Sequence, residues 1–152
     1  MRSRYRWAVV CAALAGCADA KPVLVPVRGR IAMNDAPVKE VIVNFAPIGN
    51  TAGSGALGAT DENGRFELTD ARGEKGAHPG DYKIHLYPAP RGKSTKAPDE
   101  VVSAGGGGIP SIYIDPNNTP LVANVPSLGG HVEVKLTADG RNSRVTSSPL
   151  AE

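Results

Sequence analysis

Hydrophobic residues alternate with polar or small ones along most of this chain. Val25, Val27, Gly29 and Ile31 interleave with Pro26, Arg28 and Arg30, the period of a strand with one face in a core and one in water. Asn34-Asp35-Ala36-Pro37 supplies turn chemistry. Val41, Val43 and Phe45 then alternate with Ile42, Asn44 and Ala46, a second strand that Pro47 closes. A loop of small residues, Thr51 to Gly58, leads into a third, short strand. Asp61-Glu62-Asn63-Gly64 is the strongest local signal. Asn-Gly accepts the positive φ angles of tight hairpin turns, and Arg65 to Thr69 alternates directly after it. Phe66 and Leu68 are expected in the core, Arg65 and Glu67 in water.

A charged loop runs to Gly76, and Pro79-Gly80 turns the chain into a strand with Tyr82, Ile84 and Leu86 inward and Lys83, His85 and Tyr87 outward. Residues 88–108 hold prolines, lysines and four consecutive glycines at 105–108, which reads as a flexible excursion. Order restarts at Ile109 to Asp115. Leu121, Ala123 and Val125 give a sixth strand, and Val132, Val134 and Leu136 a seventh. From Asp139 the chain is polar and is expected to fray. The pattern predicts an all-β protein, a seven-stranded antiparallel β-sandwich over 25–138 with a polar tail at 139–152.

The first residues follow another rule. Arg2, Arg4 and Arg6 precede an uncharged run from Trp7 to Gly16, which ends in Leu14-Ala15-Gly16-Cys17. At a rise of about 1.5 Å per residue this run spans half of a ~30 Å hydrocarbon core, too short to cross it. The arrangement resembles a bacterial lipoprotein signal. Residues 1–16 would be removed, Cys17 would carry acyl chains such as palmitate, and 17–24 would form the tether. Two plainer readings are an ordinary signal with a coincidental cysteine and a buried first strand. The second fits badly with arginines at every other position. Lipidation implies an extracytoplasmic protein held at a membrane, on the periplasmic face or cell surface. Cys11 would leave with the signal, so no disulfide would remain and packing alone would hold the fold.

The remaining chain is the size of one domain with a real core. Eighteen glycines, thirteen prolines and few aromatics fit many short strands joined by turns. Losing residues 1–16 takes three arginines and no acids, which turns 17 basic against 15 acidic residues into 14 against 15. A formal charge of −1 with no long run of either sign gives no footprint for nucleic acid.

Three stretches together are similar to a carboxypeptidase regulatory-like domain of the transthyretin-like sandwich group. They are Val27-Arg28-Gly29-Arg30-Ile31 with Pro37 and Val43, then Thr60-Asp61-Glu62-Asn63-Gly64-Arg65-Phe66, then Pro79-Gly80-Asp81-Tyr82-Lys83-Ile84. With the lipoprotein-like start, the layout resembles small planctomycete lipoproteins, whose Ile-Pro-x-x-Tyr-x-Asp segment is matched by Ile109 to Asp115. The sequence departs from that pattern at Ala36, where glycine is usual, at Glu40-Val41, where Gly-Ala is usual, and at Ile112, where a basic residue is common. The resemblance brings no catalytic residues.

Candidate chemistry is thin. His78, His85 and His131 are the possible metal ligands, but His85 and His131 fall on predicted solvent faces of different strands and His78 in a loop, without zinc-site spacing. Asp61, Asn63 and Glu67 place a glycine fourth and a glutamate seventh, not sixth and twelfth as an EF-hand needs, and a turn explains them. The glycines at 105–108 lack a following Lys-Ser or Lys-Thr. Ser54, Ser94, Ser103 and Ser111 sit in no nucleophile elbow, and Asp99-Glu100 has nothing apolar to raise a pKa. No catalytic, metal or cofactor residue is assigned.

Tyr82 is expected in the core and Tyr113 under the long loop, leaving Tyr87 as the exposed aromatic. The expectation is a lipid-anchored β-sandwich, not an enzyme, with a structural or protein-binding role in the cell envelope. The alternative is a carbohydrate-binding module at the surface. A contiguous apolar patch around Ile42 and Val122 would favour the first, an exposed aromatic pair near Tyr87 the second. Loops 70–80 and 88–108 are expected to carry the contacts.

Overall fold

The computed structural model describes residues 23–89 and 108–150. Cys17, the signal-like segment and most of the 88–108 excursion lie outside the described residues. Among the described residues ten strands run in chain order: β1 (Val27–Met33), β2 (Ala36–Pro37), β3 (Val41–Pro47), β4 (Ala56–Ala59), β5 (Arg65–Glu67), β6 (Thr69–Asp70), β7 (Gly80–Pro88), β8 (Val122–Val125), β9 (Gly130–Leu136) and β10 (Arg144–Pro149). A single 3₁₀ turn, Ser111–Tyr113, is the only helical element among the described residues.

The strands form two five-stranded sheets packed face to face, so the molecule is all-β and sandwich-like. In the first sheet, β10, β9 and β1 lie side by side. The far edge of β1 is shared by β5, opposite Arg28–Arg30, and β2, opposite Ala32–Met33. The second sheet runs β6-β4-β3-β7-β8.

The alternation seen in the sequence is what builds the core. Val27, Ile31, Val41, Val43, Phe45 and Leu68 have no exposure, and Phe66, Leu86, Val132 and Val134 join them. Phe66 is the wedge between the sheets. It opposes Gly29 in the β1–β5 ladder, and a side chain on Gly29 would collide with its ring and with the Val132 carbonyl. On the other sheet a Cβ at Gly58 would lie 3.3 Å from Phe66 Cδ2 and 2.8 Å from the Glu67 carbonyl oxygen. Phe45 meets the wedge at a centroid distance of 6.1 Å and Tyr82 continues the cluster at 5.7 Å, both tilted as aromatic pairs prefer.

Four expectations need correction. There are more than seven strands, because the two-residue β2 and β6 pair through backbone alone and leave no hydrophobic period. The polar tail from Asp139 contains β10, which pairs with β9 over six registered positions. A ladder at a sheet edge needs backbone groups, not apolar side chains, so a sequence such as Arg144 to Pro149 can complete it. The sandwich is not wholly antiparallel either, since β1 and β9 run parallel from Val27↔Gly130 to Met33↔Leu136.

Finally, the Asp61–Gly64 turn does not close a hairpin within one sheet. It carries the chain from β4 in the second sheet to β5 in the first. Asp61 accepts hydrogen bonds from the Asn63 and Arg65 amides, both at 2.8 Å. Gly64 alone takes the positive φ, at 71°. A Cβ there would collide with the Ile31 carbonyl and lie 3.1 Å from the Val38 amide nitrogen. Asn34 and Asp35, at φ 49° and 65°, form the two-residue β1–β2 turn with the mirror-image twist that hairpins favour.

Two substitutions test this packing by urea denaturation. Gly29→Ala is expected to lower stability by about 1–3 kcal/mol, since neither the Phe66 ring nor the Val132 carbonyl has room to retreat. Glu40 sits in left-handed backbone at φ 54°, which costs a residue with a side chain about 1–2 kcal/mol. Glu40→Gly is therefore expected to raise stability, by about 0.5–1 kcal/mol after the added chain entropy of glycine is offset.

Candidate functional site

Two grooves and one apolar row are the surface features that the fold assembles. The first groove, about 630 Å³, lies where the chain enters the domain, between Val23, Leu24, Gly53, Asp70, Glu74 and His78. Its wall is a tight turn after β6. Asp70 Oδ1 accepts the Arg72 and Glu74 amides at 2.9 Å each, and Oδ2 accepts Arg72 Nε at 3.0 Å. Burial pushes the Asp70 carboxyl up, but the Glu74 amide and Arg72 outweigh it and hold the acid below its usual range. A carboxylate so fully occupied is a turn-former rather than a base. The loop 70–80 is thus stitched down, with Ala77 bridged to Val25 and the His78 ring 3.4 Å from the Val23 carbonyl oxygen.

The second groove, about 540 Å³, lies along the first sheet among Arg28, Arg30, Arg65, Glu67 and His131 and reaches Asp61 and Ala59 at the corner where the chain passes from β4 to β5. Here the ladder sets the chemistry. Arg28 stands between His131 and Glu67, and Arg30 between Glu133 and Arg65. Arg28 reaches Glu67 at 3.5 Å, and Lys75 reaches it at 3.2 Å. Lys75 first, then Arg28, holds the Glu67 carboxyl low.

The apolar row is on the solvent face of the second sheet, where Ala59, Ile42 and Tyr87 are cross-strand neighbours and Leu57 lies one pair along, beside Asn44. Leu57 is 47% and Tyr87 37% exposed. Val122 does not join this row. It opposes Lys83 near the other end of β7.

The histidines do not converge. His78 is buried in the first groove, His131 is exposed on the first sheet, and His85 is on the outer face of the second. His85 was expected in solvent but is only 4% exposed. Asn44 of β3 stands opposite it, and Tyr87 on the same face packs edge-on at 5.0 Å. Its Nδ1 has no hydrogen-bond partner among the described residues. Tyr87 is therefore half of a Tyr–His contact, not of an exposed aromatic pair.

Tyr82 is a core residue, as expected, and Tyr113 also lies fully buried in the core. The Tyr82 hydroxyl donates to the His78 carbonyl at 2.7 Å, tying β7 to the turn before it in the manner of a tyrosine corner. The Tyr113 hydroxyl donates to the Thr137 carbonyl at 2.8 Å and accepts from the Thr137 amide at 3.1 Å. Asp115 takes the Asn117 amide at 2.8 Å and Asn118 Nδ2 at 2.6 Å, and these bonds keep its carboxyl low. Ile109 to Asp115 is thus fastened through Tyr113 to the residue that follows β9.

Ser54 lines the first groove and Ser111 begins the 3₁₀ turn, while Ser94, Ser103, Asp99, Glu100 and the glycines at 105–107 lie outside the described residues. Among the described residues no three His, Cys, Asp or Glu side chains gather to hold a metal ion. No helix among them is long and apolar enough to cross a membrane. Comparison with protein-family models, with curated proteins and with solved structures returns no match.

Burial lowers the His85 pKa from its ordinary 6.5. The unfolded chain therefore takes up a proton near pH 6.5 that the folded chain refuses until lower pH. Stability from this group is complete above about pH 6.5 and is lost below it, at no more than about 1.4 kcal/mol per pH unit. Urea midpoints are expected to fall between pH 7.5 and 5.5, and His85→Gln to flatten that decline. An identical slope in the variant would assign the effect elsewhere.

Proposed function

We propose that this chain is a lipid-anchored, extracytoplasmic module of the cell envelope, with a structural or protein-binding role and no catalytic one. The observation that carries the reading is the spacing from Cys17 to the fold. Arg2, Arg4, Arg6 and the uncharged run lead to Leu14-Ala15-Gly16-Cys17, and Val25 is already bridged to Ala77. Only a short tether, 18–24, separates the acylated residue from the sandwich. An extended chain reaches at most about 3.6 Å per residue, so the domain is kept close to the bilayer surface. Two or more acyl chains hold far more firmly than one.

We place the sandwich in the transthyretin-like, carboxypeptidase regulatory-like group. Three features support this. Gly64 has the positive φ that the turn-and-strand stretch calls for, and Glu40 takes left-handed backbone where the family usually has glycine. Tyr82 binds back across Pro79-Gly80 to His78. The protein-binding role draws support from the apolar row of Ala59, Ile42 and Tyr87 with Leu57 beside it, since exposed contiguous apolar surface marks contact sites. The polar groups that look most like chemistry, Asp70, Asp115 and Glu67, are each occupied by a turn amide or an ion pair.

Intact mass of the membrane-extracted protein tests the anchor. The expected species begins at Cys17 and carries acyl mass, which Cys17→Ser abolishes. A wild-type chain that begins elsewhere without added mass would sink the lipoprotein reading and leave a free extracytoplasmic module.

A further inference from the structure

The sheet gathers what the sequence scatters. Counted along the chain, neither charge sign dominates. On the solvent face of the first sheet, however, Arg28, Arg30, Arg65, Lys135 and Arg144 project together, and only Glu67 and Glu133 project among them. The register opposes like charges directly at two places, Arg30 to Arg65 and Lys135 to Arg144. Directly opposed like charges weaken a strand pair. Glu67 answers Arg28 and Lys75, and Glu133 answers Lys135 at 3.8 Å. Arg30, Arg65 and Arg144 have no ion-pair partner among the described residues. Between Arg30, Arg65, Arg28 and His131 the face dips into the 540 Å³ groove, whose lining also holds Glu67 and, at the β4–β5 corner, Asp61.

We infer that this basic face lies against anionic lipid headgroups, so that the domain docks flat on the bilayer that holds its N-terminus. The inference rests on the lipid anchor proposed above. Charge complementarity supplies the chemistry, since each Lys or Arg close to an anionic bilayer is attracted to it. The attraction fades within a Debye length of about 8 Å, so the face must touch the surface to profit. A few charges give only weak binding from free solution. A short tether turns that into an intramolecular step at an effective concentration in the millimolar range. The geometry suits such a step. β1 is the first strand after the tether, and Arg28 is its second residue, so the basic rows begin at the end of the sandwich nearest the membrane. The apolar row of Ile42, Tyr87 and Leu57 belongs to the other sheet and faces away, where a protein partner can reach it.

The test uses the full lipidated chain carried on vesicles. Its readout is the rate of His131 carbethoxylation by diethyl pyrocarbonate, followed by mass spectrometry, because His131 is exposed within the face. On vesicles of phosphatidylcholine with phosphatidylglycerol, His131 is expected to react several-fold more slowly than on phosphatidylcholine alone. High salt and the Arg30→Glu/Arg65→Glu variant are both expected to erase that difference. Both positions are exposed, and an unchanged urea midpoint would show the variant folded. Equal rates on the two kinds of vesicle would overturn the inference. So would protection by soluble heparin on phosphatidylcholine vesicles without protection by phosphatidylglycerol, which would assign the face to a free acidic polymer. Failure of the anchor is visible separately, as a chain that does not float with phosphatidylcholine vesicles at all.

Discussion

The two sheets depend on one ring having somewhere to go. Phe66 belongs to a three-residue strand that contributes little ladder of its own, yet its side chain fills the space that Gly29 and Gly58 leave empty on opposite sheets. Burying such a side chain is worth about 1.5–3 kcal/mol, and dense packing with Phe45 adds the aromatic preference. The wedge also sets the turn before it. For Phe66 to cross from one sheet to the other, the chain must corner at Asp61–Gly64. There the Asp61 carboxylate occupies two amides, and only Gly64 fits beside β1.

Period-2 alternation made the inward-facing residues of the long strands legible, from Val27 to Leu136, because burial on one face leaves a trace in side-chain chemistry. Val38 and Tyr113, buried outside those strands, left none. Pairing leaves no such trace. Nothing in Val27 to Met33 states that its neighbour is Gly130 to Leu136, or that the two run parallel. β10 stayed hidden because its contribution is backbone hydrogen bonding at an edge. The burial of His85 was illegible for a related reason. Outward-facing positions on a central strand are shielded by neighbours whose identity depends on strand order. The basic face illustrates the same limit, since its cations come from β1, β5, β9 and β10, alternating in sequence with core residues.

The two outer surfaces are chemically unlike. One is cationic and grooved, the other carries an apolar row flanked by Asn44 and the buried His85. Between them the turn-forming acids are consumed in holding loops, as Asp70 and Asp115 show. The sandwich thus presents two broad faces of different chemistry, one cationic and one apolar.

The parallel pairing of β1 with β9 has a mechanical meaning. A domain held by its N-terminus and engaged elsewhere carries tension through β1. That strand is bonded at seven registered positions to β9 on one side and to β5 and β2 on the other. Tension along it loads these bonds side by side, in shear, so they must yield together instead of peeling one at a time. The first long strand is thereby a strain-bearing clamp, and the central place of β1 in its sheet sets how much tension the sandwich resists before it opens.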